Sequence, residues 1–203
     1  MTAGHVQRML DDKPKTKDDD YLDGRMLIAM PSIESSVFER SVIYMCAHSE
    51  DGAMGLIVNK PAPELRFGEL LEQLGIPESA TSDQIQVHLG GPVEHGRGFV
   101  LHSEEYHIDD STMDVGPGFG MTATLDILKD IANGEGPVDQ IMALGYAGWG
   151  PGQLERELQN NGWLVCNANR DVVFATDDDD KWVAALSSLG IAPSMLSGAG
   201  GAA

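Results

Sequence analysis

Cys46 and His48 stand two residues apart in "YMCAH", inside a run of β-forming residues. On a regular strand that spacing puts both side chains on one face, as a thiol with its base or as half of a metal site. No third group that would orient the pair is fixed by spacing. An unpaired cysteine among apolar neighbours behaves as a small hydrophobe, and Cys166 reads the same way. His88, His95, His102 and His107 recur through the middle of the chain. His88 and His102 would meet across paired strands, but no C-x-x-C or H-x-x-x-H completes a zinc set. The aspartates at 177–180 lack the alternation and central glycine of a calcium loop. They suit a helix start, with Thr176 or Asp177 capping free amides and Trp182, Ala185, Leu186 and Leu189 as the buried stripe. No G-x-S-x-G elbow is present, and Ser41 has no activating context. The residues therefore imply neither a metal nor a cofactor.

The segment "GYAGWGPGQLERELQNNGWLV" sets Gly145, Gly148, Gly150 and Gly152 before an amphipathic stretch. A helix N-terminus attracts anions. The order is nevertheless not G-x-G-x-x-G, no Lys-Ser/Thr follows as in a P-loop, and Glu155 and Glu157 would repel a phosphate. The segment reads as a strand-to-helix turn, with Pro151 opening the helix and Gly162 closing it. Tyr146, Trp149 and Trp163 are read either as core aromatics or as the lining of a concave recognition surface.

The elements that must position these residues follow from periodicity. Short apolar or β-branched runs predict strands at "RMLIA", "SVIYMCAH", "MGLIVN", "IQVHLG", "GFVLHS", "QIMALGYAGW", "GWLVCNA" and "VVFAT". Asp51-Gly52 predicts a hairpin turn between the second and third of them. Helical spacing appears in "RFGELLEQLG", in "TLDILKDIANG" with Leu125, Leu128 and Ile131 on one face, in "PGQLERELQNNG", and in "DDDDKWVAALSSLG". Strands and helices mix without a regular βαβ alternation, so the expected fold is α+β, with a mixed sheet and about four helices.

Thirteen Lys+Arg against 32 Asp+Glu give a net charge of −19. Such a field repels the phosphates that a nucleic-acid binder must neutralise, which argues against direct DNA or RNA binding. No run approaches the roughly 20 apolar residues of a membrane-spanning helix. Two distant cysteines and no signal-like apolar run imply a cytoplasmic protein. Residues 1–20 are expected to be a mobile arm, 21–196 a single domain, and 197–203 a flexible tail.

The blocks "YLDGRMLIAMP", "FERSVIYMCAHSEDGAMGLIVNKP", "HLGGPV", "RGFVLH", "LGYAGWGPGQLERELQNNGWL" and "KWVAALSSLGI" resemble, in this order, the YqgE/AlgH family of bacterial proteins. The resemblance implies an α+β domain whose mixed sheet is partly barrel-like, a cytosolic location, and no established biochemical activity. Some members carry a transcriptional-regulator label, which the charge argument reconciles with regulation through a protein partner. The charged segment before Tyr21 and the Gly/Ala-rich end depart from the family pattern.

The leading expectation is a non-catalytic module that binds a protein or small molecule at turns and loops near Asn59, Lys60, Gly90, Gly91, Pro92, Tyr146, Trp149 and Gly150. The rival is a hydrolase-type enzyme using Cys46 or a histidine; a DNA-acting regulator is disfavoured by the charge. Oligomeric state is not encoded in any of these signals.

Overall fold

A computed structural model describes residues 21–35, 37–77 and 84–196; the expected N-terminal arm and C-terminal tail lie outside them. The chain runs β1 (Arg25–Ala29), β2 (Val42–Ser49), β3 (Gly52–Ile57), β4 (Pro61–Arg66), α1 (Phe67–Gln73), β5 (Gln86–Leu89) and β6 (Val93–Ser103). It continues with β7 (Thr112–Gly116), β8 (Phe119–Thr122), α2 (Leu125–Asn133), β9 (Gln140–Trp149), α3 (Gln153–Gln159) and β10 (Trp163–Asn167). A π-helical turn (Asp171–Ala175), α4 (Asp178–Ser188) and α5 (Pro193–Leu196) follow.

The sheet order is β10-β1-β2-β3-β9-β6-β8-β7, with β5 joining β9 and β4 joining β5. All pairs are antiparallel except β5 with β9, so the sheet is mixed. It curls into a half-barrel, in which Tyr44 Oη on β2 donates to the Val115 carbonyl on β7. Together with four helices of seven residues or more, this is the α+β architecture expected from the sequence pattern and the resemblance.

Alternation along the strands produces three apolar layers. The concave face, with Met26, Tyr44, Leu56, Phe99, Met121 and Tyr146, closes around Trp182 and Leu186 of α4 and the π-helical turn. Its convex back splits in two. Leu27, Ile43, Ile57 and Trp149 pack against Leu154 of α3, while Val87, Val100 and Met142 pack under Phe67 and Leu71 of α1 and Ile127 and Ile131 of α2.

Several local readings change. "VVFAT" is a π-helical turn, not a strand, because Val172, Val173 and Phe174 all serve the same concave core and strict alternation is not needed. The strands β4, β7 and β8 carry no clear period-2 pattern in sequence; β4 holds two prolines and lies at the margin of the sheet, beside β5. Leu125 and Leu189 are exposed although their spacing placed them on buried stripes. α3 begins after the left-handed Gly152, not at Pro151, and the left-handed residue beyond its end is Asn161 (φ 55°), not Gly162.

Candidate functional site

The expected Cys46–His48 pair is separated by one residue of backbone. Met45 pairs with Gly55 but Ala47 pairs with Met54, so β2 carries a bulge at Cys46. The inserted residue inverts the alternation. Cys46 and Ala47 both enter the concave core, and His48 turns to the convex side. There His48 Nδ1 accepts the Leu22 N–H at 3.1 Å and Nε2 meets Glu155 Oε1 of α3 at 2.9 Å. An acceptor at Nδ1 fixes the proton of the neutral ring on Nε2, where it donates to the carboxylate. Burial pushes the Glu155 carboxyl up, but its own backbone N–H and the His48 hydrogen bond outweigh that and hold it below its ordinary range. The imidazole ties α3 to the sheet and has no thiol to activate.

His102 is locked in the opposite tautomer. Its Nδ1–H donates to the Ser103 carbonyl at 2.9 Å, so the neutral Nε2 accepts from Thr122 Oγ1 at 2.9 Å. Thr112 Oγ1 lies 2.8 Å from Thr122 Oγ1 and accepts the Ile108 N–H. The hydroxyls thereby form a one-directional chain into the ring. Desolvation by burial lowers the His102 pKa, against the opposing Ser103 carbonyl bond. His95 is exposed, as is His107 beside Asp109. The histidines therefore lie apart, and among the described residues no three His, Cys, Asp or Glu are arranged to hold a metal ion.

Most of the expected recognition surface meets where the chain crosses β9. β5 lies on one edge of β9 and β6 on the other, so residues 90–92 must pass over the strand between them. A Cβ on Gly90 would sit 2.2 Å from the Gly145 carbonyl oxygen, and one on Gly91 would sit 2.1 Å from the Tyr146 carbonyl carbon. Two glycines are thus a steric requirement of the crossing. Gly145, at φ 71°, kinks β9 beneath them and swings Tyr146 into the concave core.

Beside the crossing, Asn59 Oδ1 accepts the Val42 N–H and its amide donates to the Arg40 carbonyl, while Lys60 Nζ donates to the Glu39 carbonyl. These side chains pin the segment before β2, and Pro92 is exposed. His88, also at this corner, contacts Asp178 Oδ2 at 2.9 Å, and Lys181 Nζ contacts Asp178 Oδ1 at 2.8 Å and the Val58 carbonyl at 2.7 Å. Burial alone would raise the Asp178 pKa. The bonds from His88 and Lys181 win and hold it below the ordinary carboxylate range. The triad clasps the first turn of α4 to the sheet.

Trp149 and Gly150 lie away from the crossing, at the α3 end of β9. Trp149 is 3% exposed and Tyr146 0%. Glu157 Oε2 accepts both indole N–H groups, from Trp149 at 2.9 Å and from Trp163 at 2.8 Å. Gln153 bridges Glu157 Oε1 to the Gly150 N–H. Tyr146 is sealed in the core, its phenol pushed up to about 12 by burial and by the charge of Glu94. These aromatics pack inward and display no face, which corrects the expectation that Tyr146 and Trp149 contribute side chains to a surface.

An open feature lies elsewhere, on the convex side between α1 and α2. Leu70 of α1 and Leu74 just beyond its end form one wall and Leu125 and Leu128 of α2 the other, over a floor of Gly96, Gly98, Met142 and Leu144. The pocket holds about 120 Å³. Leu74 (40% exposed) and Leu125 (48%) border its mouth. Gly96 has no positive φ, and nothing lies within 4 Å of the position its Cβ would take. Neither strain nor packing requires glycine there; a side chain would enter open space at the edge of the groove. A Cβ on Gly98 would meet only the flexible end of Met142, at 3.0 Å, and a Leu144 methyl at 3.8 Å. Sequence reasoning missed the site because its lining comes from four separate segments. The one local signal was the pair of glycines in "EHGRGFV", at strand positions where no turn needs them.

A curled mixed sheet with its concave face filled by a C-terminal helix and two helices bordering an apolar groove on its back defines a class of small α+β domain. The chain belongs to the AlgH-like (DUF179) family, whose profile matches residues 26–194. A UPF0301 protein from Bradyrhizobium diazoefficiens is 56% identical over 89% of this chain and 88% of its own length. Another from Cereibacter sphaeroides is 55% identical over 89% of this chain and 98% of its own. The solution structure of the AlgH protein from Pseudomonas aeruginosa superimposes with a TM-score of 0.76 at 39% identity, over 94% of this chain and 100% of that one. A Corynebacterium diphtheriae protein shares the fold at a TM-score of 0.66, over 87% of this chain and 90% of that one, with 22% identity. Among the described residues no helix is long and apolar enough to cross a membrane.

Proposed function

We propose that this chain is a non-catalytic binding module whose recognition site is the groove between α1 and α2. The observation that supports this reading most is Gly96, a residue that lines the apolar pocket and that the backbone conformation and its neighbours leave unexplained. The groups with chemical potential point the same way. Cys46 is buried, His48 and His102 serve as hydrogen-bonding struts, and His88 serves a helix clasp. A hydrolase needs a nucleophile and a base in mutual reach, and the bulge at Cys46 removes that pairing. Direct action on DNA stays disfavoured by the net charge of −19. Regulation, in this reading, works through an occupant of the groove.

The test is a titration with 1-hexanol followed by amide NMR shifts in the wild-type chain and in Gly96→Leu. Saturable shifts at Leu70, Gly96, Gly98 and Leu128, lost in the variant, are expected. Shifts that Gly96→Leu leaves unchanged would refute the assignment of the site.

A further inference from the structure

We propose that the occupant of the α1–α2 groove is a cationic amphipathic helix of a partner protein, which plants one aliphatic side chain in the pocket. The inference rests on the groove being the binding site and adds the chemistry of what binds.

Size comes first. About 120 Å³ is less than the roughly 150 Å³ of an apolar cavity that takes benzene. It suits a single leucine or methionine side chain. The surroundings of the hole then discriminate between a free small molecule and a larger partner. Leu74 on one bank and Leu125 on the other are 40% and 48% exposed at the mouth, and a ligand confined to the pocket would cover only the faces of both that line it. A helix laid between the banks covers them with residues three and four positions from its anchor, the usual spacing of helix-in-groove recognition.

Charge supplies the sign of the partner. The chain carries −19 overall, a field that draws in cationic partners and repels anionic ones. At the groove itself, the nearby cations are already engaged: Lys129 lies 3.0 Å from Asp126, and Arg97 lies 3.5 Å from Glu94. On α1, Glu69 and Glu72 are exposed; the cation of that bank, Arg66, sits at the helix start and has an interaction within the chain. An incoming lysine or arginine would therefore find unneutralised carboxylates on α1.

The experiment uses the full chain and two synthetic amphipathic helices of identical apolar pattern, one Leu/Lys and one Leu/Glu, alongside 1-hexanol. Binding is read by fluorescence anisotropy for the peptides and by NMR shifts for hexanol. The Leu/Lys helix should bind, with at least a tenfold loss in Gly96→Leu and again in Leu125→Glu, a surface change that keeps the core intact. In the double variant Glu69→Lys/Glu72→Lys, affinity for the Leu/Lys helix should fall and affinity for the Leu/Glu helix should rise. Leu/Lys binding that ignores Gly96→Leu and Leu125→Glu would be general attraction to an acidic surface, and would overturn the proposal. Hexanol binding at the pocket with no response to either peptide would leave the groove as a small-molecule site and refute the helix. Failure of all three ligands would refute both the groove and its occupant.

Discussion

Tyr44 donates its hydroxyl to the carbonyl of Val115 at 3.1 Å, joining two points separated by 71 residues of chain. β2 and β7 are not neighbours in the sheet, so this bond spans the open side of the half-barrel. Phe119 packs against the same ring at 4.7 Å between centroids, and burial together with nearby acidic groups raises the phenol pKa, so the hydroxyl remains a donor. The curl that shapes the concave core thus has an identifiable polar fastening.

Tyr44→Phe should remove that fastening and leave the Val115 carbonyl unsatisfied, at a cost of about 1–3 kcal/mol. Urea unfolding checks it. A midpoint equal to the wild type would show that the curl is held by apolar packing alone.

Glu157 holds two indoles at once, and a buried N–H without a partner costs about 1–3 kcal/mol. Glu157→Ala should therefore destabilise the chain more than Gln153→Ala, which leaves both indole bonds in place and releases the Gly150 N–H and one bond to Glu157 Oε1. Thermal unfolding followed by tryptophan fluorescence tests the order of the two, and the reverse order would contradict it.

The α4 clasp predicts an asymmetry. Asp178→Ala leaves the Lys181 ammonium, 3% exposed, with the Val58 carbonyl but no counter-charge, and breaking such a buried pair costs about 3–5 kcal/mol. Lys181→Met removes the charge itself and should cost less. Equal losses in chemical denaturation would mean that the pair contributes no net electrostatic term.

His102 and Asp178, together with the lowered carboxyls of Glu155 and Glu105, shape the acid side of the stability profile. His102 has a folded pKa below its ordinary 6.5, so the unfolded chain takes up a proton that the folded chain refuses. Its contribution is complete above about 6.5 and is lost as pH falls from there towards the depressed folded pKa. Asp178, lowered from 3.8, adds stability that is present above that value and disappears as pH falls further. Urea midpoints between pH 7.5 and 5 should decline, with a flatter slope in His102→Gln. An unchanged slope in the variant would place the effect elsewhere.

The strands β2, β9 and β10 and all four longer helices were legible because their apolar periods match their elements over most of their length. Side-chain direction was less so. The Cys46–His48 reading failed at a single inserted residue, since a bulge leaves composition unchanged and inverts every side chain beyond it. The burial of Lys181 was not legible, because it depends on Val58 and Asp178 being brought together by the fold. The glycines at 90, 91 and 145 read as a turn and loops; their cause is a tertiary crossing between segments more than fifty residues apart. Gly96 precedes the run read as a strand, and the pocket it lines forms only when two helices pack beside it.

The groove's central role is tested most directly by comparing Gly96→Leu with the wild type in two readouts, urea unfolding and affinity for the Leu/Lys helix. Because the added side chain enters open space, the midpoint should stay within about 0.5 kcal/mol of the wild type, as for ordinary surface changes, while binding falls at least tenfold. Retained affinity in a stably folded Gly96→Leu chain would contradict the account.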